Sequence, residues 1–115
     1  MRIRLTTLFL ALAALGGAAC AQDIAQVRKT YSDMCKQQSV ALPAEHGGDG
    51  DLKGHPKVDA YCDCVGARWA DRVLKVMNGA ARPSNEQFAK EEWATRTTCR
   101  KNVGAPPPQP IKPLG

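Results

Sequence analysis

The stretch HPKVDAYCDCVGARWADRVLKVMNG, residues 55–79, decides the reading of the whole chain. On a wheel of 100° per residue, Val58, Cys62, Val65, Trp69, Val73 and Val76 fall in one stripe roughly 80° wide, flanked by Tyr61 and Met77. His55-Pro56 opens the segment, with proline at the first helical position, where its missing amide is no loss. Asn78-Gly79 closes it, glycine being suited to the left-handed residue past a helix end. The pattern predicts an amphipathic helix from about Pro56 to Asn78.

Two further helices follow from working outward. Upstream, Ile24, Val27, Tyr31, Met34 and Cys35 recur at helical spacing between Asp23 and Ser39. Asp23 suits the cap, and Leu42-Pro43 ends the run. Downstream, Ser84 and Gln87 have the spacing of a capping box. Phe88, Ala89, Trp93, Cys99 and Val103 are then expected on one broad face, with the end at Asn102-Val103-Gly104. There is no internal repeat and no strand-like alternation. The expected fold is therefore all-α: a small three-helix domain, its core limited to residues 22–104.

A core of this size is marginal without staples. The four cysteines after residue 21 supply them: Cys35, Cys62, Cys64 and Cys99. Cys62 and Cys64 lie two residues apart on one helix, so their side chains diverge and each needs a different partner. Two connectivities survive, 35–62 with 64–99 or 35–64 with 62–99, and the spacing does not choose between them. Closing loops of about 28 and 36 residues stabilises the fold by on the order of 3 to 4 kcal/mol each in the chain-entropy model. The run Tyr61-Cys62-Asp63-Cys64-Val65, followed by Arg68 and an amphipathic helix, resembles small exported bacterial proteins with a Y-C-x-C-V motif. Those chains similarly carry one cysteine upstream and one downstream, here Cys35 and Cys99. The resemblance covers roughly residues 31–99. It implies a helical disulfide fold and no particular activity.

The beginning of the chain reads as an export signal. Arg2 and Arg4 precede an apolar run, Leu5 to Ala14, and small residues follow from Gly16 to Ala21. A membrane span needs roughly twenty apolar residues, so residues 1–21 are expected to be a cleaved signal peptide, with Ala19-Cys20-Ala21 as the cut site. A rival reading makes Cys20 the lipid-bearing first residue of a lipoprotein. Gly17 stands where that signal usually has leucine, so membrane contact is expected only if Cys20 is lipidated. The expected location is periplasmic or secreted, where cysteine pairs become disulfides. Residues 105–115, with Pro106, Pro107, Pro108 and Pro110, are expected to form an extended, disordered tail.

The formal net charge is +5. Removing Arg2 and Arg4 leaves about +3, with the signs interspersed and no basic block, which gives no reason to expect nucleic-acid binding. A solvated surface accounts for these charges.

Each candidate for chemistry has a plainer reading. Cys62-Asp63-Cys64 offers thiols to a soft metal or to redox exchange, with His46 and His55 as further ligands. A C-x-C on a helix turns its sulfurs apart, so structural disulfides are expected and no metal or cofactor. Glu45, Asp49 and Asp51 lie in the long connection from Val40 to Gly54, among Gly47, Gly48 and Gly50. The EF-hand pattern is missing, so a flexible acidic turn is expected. His46 and His55 are expected in solvent, with His55 helping to begin the second helix. Glu91-Glu92, beside Lys90, point different ways, and Ser32, Ser39 and Ser84 lack a nucleophile-elbow pattern, so no catalytic residue is assigned. Trp69 and Trp93 are expected in the core. What remains is a small non-enzymatic protein that binds a macromolecular partner in the envelope or outside the cell. The alternative is a periplasmic metal-binding or thiol-redox protein using Cys62-Asp63-Cys64.

Overall fold

The computed structural model describes residues 23–111. The expected signal peptide, residues 1–21, and its Cys20 lie outside the described residues. Within them the chain is all-helical, with no strand: α1 over residues 23–34, α2 Val58–Met77 and α3 Asn85–Asn102.

Local chemistry sets the ends. α1 widens into a π-turn, Cys35–Ser39, closed by the Val40 amide donating to the Cys35 carbonyl at 3.1 Å. Pro43 then bars another turn. α2 begins at Val58, two residues later than expected, because the Lys57 amide donates to His55 Nδ1 at 3.0 Å. This bond turns the chain at Pro56 and leaves Lys57 as the cap residue. At the far end Gly79, with φ 101°, allows the Ala80 amide to reach the Lys75 carbonyl at 2.9 Å. Ser84 and Gln87 form the expected capping box, each side chain bonding the other's amide at 3.2 and 3.1 Å.

The disulfides join Cys35 to Cys62 and Cys64 to Cys99, with Cα separations of 5.4 and 5.7 Å. Gly66 explains the choice. It lies one turn beyond Cys62 on the same side of α2, and a Cβ there would stand 2.7 Å from the Ser32 amide nitrogen and 2.8 Å from the Arg28 carbonyl oxygen. α1 therefore crosses α2 backbone to backbone over Gly66, which delivers Cys35 to Cys62. Cys64 faces the other way and takes α3. Both outer helices run antiparallel to α2. Lys36 meets Asp63 while Arg28 meets Asp71 on one side, and Cys99 meets Cys64 while Glu91 meets Arg72 on the other.

The core gathers at one end of this arrangement, where Tyr61, Cys62 and Cys99 are fully buried with Cys35, Val40, Leu52 and Val65 around them. Two disulfides in so small a core mark a non-reducing, extracytoplasmic compartment. No helix among the described residues is long and apolar enough to cross a membrane.

Three expectations need correction. Trp93 is 42 % exposed rather than core. Six residues separate it from Cys99, which turns it about 120° away from the face that the disulfide buries. The connection between α1 and α2 is an ordered cap with two 3-10 turns, Ala44–His46 and Gly50–Leu52, and Leu52 is driven into the core. The described part of the tail, residues 105–111, has no helix and lies on the domain rather than free. Arg100 donates to the Pro106 carbonyl at 3.1 Å, and Pro108 is buried.

Candidate functional site

The expected acidic turn folds inward around Asp49, which is only 2 % exposed. Four side chains converge on its carboxylate. Ser39 Oγ donates to Oδ2 at 2.6 Å, while Tyr61 Oη, Arg96 and Arg100 donate to Oδ1 at 3.0, 3.2 and 2.6 Å. Arg100 also grips Asp51 with both terminal nitrogens, each at 2.8 Å. Arg96 donates to the Gly48 carbonyl at 2.7 Å. Gly48 has no alternative here, since a Cβ would stand 2.1 Å from the Leu42 carbonyl oxygen.

Burial works against charge on Asp49. The hydrogen bonds from Ser39 and Arg100, the Arg96 charge and the Tyr61 hydroxyl outweigh it and hold the carboxyl below its ordinary range. The Arg100 hydrogen bond lowers Asp51 in the same way. Burial, then the Asp49 charge, pushes the Tyr61 hydroxyl up to about 12. These groups are a lock. Both carboxylate oxygens of Asp49 are engaged, so Asp49 has no free oxygen to offer a substrate. Its consequence is mechanical: it ties the α1–α2 connection to α3 and fixes the spacing of the helices. Solvation, the expected role of the charges, does not describe Asp49, Arg96 or Arg100.

Beside this lock runs an open groove of about 790 Å³. Its floor is the continuation of the α2 stripe, Val65, Trp69, Val73 and Val76. α1 supplies one wall with Tyr31 and Met34, α3 the other with Phe88 and Glu92. Trp69 stacks on Phe88 with ring centroids 5.0 Å apart. Leu42 and Gly47 close one end, and Arg82 and Pro83 stand at the other. Met34, Leu42 and Phe88 are more than two-fifths exposed and Met77 is 73 % exposed, so the apolar character continues over the rim. Arg82 is exposed and has no ion pair or hydrogen bond among the described residues, whereas Arg72 stands 3.0 Å from Glu91. The stripe on α2 thus has two parts: Cys62 and Val65 serve the core, and Trp69 to Val76 line a surface.

The other candidates are accounted for locally. Cys62 and Cys64 are bonded to different partners, which leaves neither as a thiolate. No group of three or more His, Cys, Asp or Glu side chains converges on a metal-sized space among the described residues. Ser32 bonds Asp63, Ser39 bonds Asp49 and Ser84 caps α3. Glu91 pairs with Arg72. The groove itself went unread in the sequence. Its signal was the length of the α2 stripe, which runs three turns past Cys64, the last cysteine on that helix. No family model matches this chain, nor does any curated protein or solved structure.

Proposed function

We propose that this chain is an exported protein, working in the periplasm or outside the cell, that binds a macromolecular partner through the groove and performs no chemistry on it. On this reading it belongs with the small exported proteins whose Y-C-x-C-V motif it resembles, and residues 1–21 are its signal peptide. One observation carries the reading: the apolar stripe of α2 is left open between two walls that a buried ion cluster and two disulfides anchor at one end. An open apolar surface is the kind that partners cover. Soluble monomers rarely keep such a surface without use.

In-cell photo-crosslinking tests this. A photoreactive residue replaces Met34 or Met77 at the rim, and in the control replaces Asp59, which is exposed and does not line the groove. The expected result is a discrete adduct from both rim positions and none from the control. Absence of a rim-specific adduct in the exported fraction would sink the proposal. Intact mass of that fraction, alkylated before reduction, is expected to show a chain starting at Gln22 with no free thiol.

A further inference from the structure

We infer that the groove receives one amphipathic α-helix of about three turns, contributed by a protein partner, with an acidic side chain set against Arg82. This rests on the groove being a partner-binding surface and names what fills it.

The floor is itself a helical ridge. Val65, Trp69, Val73 and Val76 recur at i, i+4, i+8 and i+11, which spans about 16 Å at 1.5 Å per residue. α1 and α3 flank that ridge, both antiparallel to α2 and so parallel to each other. A fourth helix laid along the ridge packs against all three and completes the cross-section of a four-helix bundle. Its own apolar residues, at i, i+3 or i+4 and i+7, interdigitate with the floor.

Other occupants fit less well. A peptide that binds as an added β-strand needs a sheet edge to pair its backbone, and the walls present side chains from helices. A single acyl chain is held well only where most of its surface is enclosed, and this groove is open along its length. Rim side chains such as Met34, Met77 and Leu42 are flexible and polarisable, and they spread over an irregular helix face without a fixed fit.

The charges set direction. At the closed end the Arg96 charge is paired with Asp49. At the open end Arg82 is unmatched, with no ion pair among the described residues. An occupant therefore gains from a carboxylate at that end, and a lysine there meets like charge.

The test is selection of a displayed library of random 16-residue peptides on the oxidised protein, with Met34→Arg as the groove-blocked control. Met34 is exposed, so this variant is expected to fold, and its circular dichroism checks that. The expected winners carry apolar residues at helical spacing and one acid near an end, and become helical when bound. Arg82→Glu is expected to weaken them about tenfold, and exchanging the peptide's acid for lysine to restore binding. Winners with alternating or proline-rich patterns, or equal enrichment on Met34→Arg, would overturn the helix. So would laurate displacing every winner while itself binding more tightly, or a micromolar dimer of this chain that buries Trp69. If rim crosslinks persist in cells while no helical class emerges, the partner reading stands and only the helix falls. If the crosslinks are absent too, both fall.

Discussion

Asp49 is tolerated as a buried anion only because two arginines, a serine and a tyrosine reach it together. Removing its charge leaves two guanidinium groups buried, a change that typically costs 3 to 5 kcal/mol. Asp49→Asn is therefore expected to destabilise the fold by about 3 kcal/mol in urea unfolding. Asp51→Asn, which leaves Arg100 its Asp49 partner, is expected to cost about 1 kcal/mol. The pH dependence follows from the same contacts. Asp49 is lowered from its ordinary 3.8, so the stability it supplies is complete above that value and lost as pH falls below it. Tyr61 is raised from 10.0 to about 12, so its contribution is complete below pH 10 and drains away between the two. Stability measured from pH 2 to 12 is expected to fall at both ends, and Tyr61→Phe to flatten the alkaline limb alone. A flat alkaline limb in the unmodified protein would refute the Tyr61 placement. Little of this was legible in the chain. Gly47-Gly48-Asp49-Gly50-Asp51 has the composition of a solvated turn. The overlooked clue lies in α3, where Arg96 and Arg100 flank Cys99 at i−3 and i+1. Burying that cysteine takes both arginines in with it, and they need anions.

At the scale of single elements, periodicity and caps located the helices well. Asn78-Gly79, Ser84 with Gln87, and Gly104 all do what their residue types predict. What periodicity alone could not supply was which side of each helix meets which neighbour. Trp93 joined an expected apolar face that the Cys64–Cys99 bond rotates outward, while Gly66, with no side chain to enter a hydrophobic pattern, determines where α1 lands. Gly66→Ala separates the two effects of a helical glycine. Propensity alone favours alanine by up to about 1 kcal/mol. Contact with the Ser32 nitrogen and Arg28 oxygen, both backbone atoms that cannot turn aside, opposes it. Overpacking of this kind costs typically 1 to 3 kcal/mol, so a net loss of about 1 kcal/mol is expected in urea unfolding. A stabilised variant would mean that α1 stands further from α2 than described. Gly79→Ala, at an open site with φ 101°, serves as comparison, because there only backbone strain acts.

Across the described residues, both cross-links and the buried ion cluster lie toward one end. Both disulfides, the Asp49 cluster, Tyr61 and Leu52 sit where α2 begins and α3 finishes. The other end of α2 has Val73 and Val76 half-buried on an open groove, then the exposed Asn78-Gly79 turn and the exposed start of α3. The cysteine count made a stapled domain legible, but not this polarity, since that depends on where the connection and the tail fold back. Buried contacts and cross-links set the free energy of local opening, so opening is expected to be graded along α2. Hydrogen exchange should show its slowest amides between Tyr61 and Gly66 and between Thr95 and Arg100. Amides from Val73 to Met77 and from Phe88 to Glu91 should exchange faster by at least tenfold, through opening that leaves both disulfides and the ion cluster closed. Occupying the groove should slow that second set and leave the first unchanged, because the first already opens only with global unfolding. Uniform protection along α2 in the free protein would mean that the groove end is as firmly held as the core. The groove would then have to be explained as a fixed surface and not as the mobile half of a polarised fold.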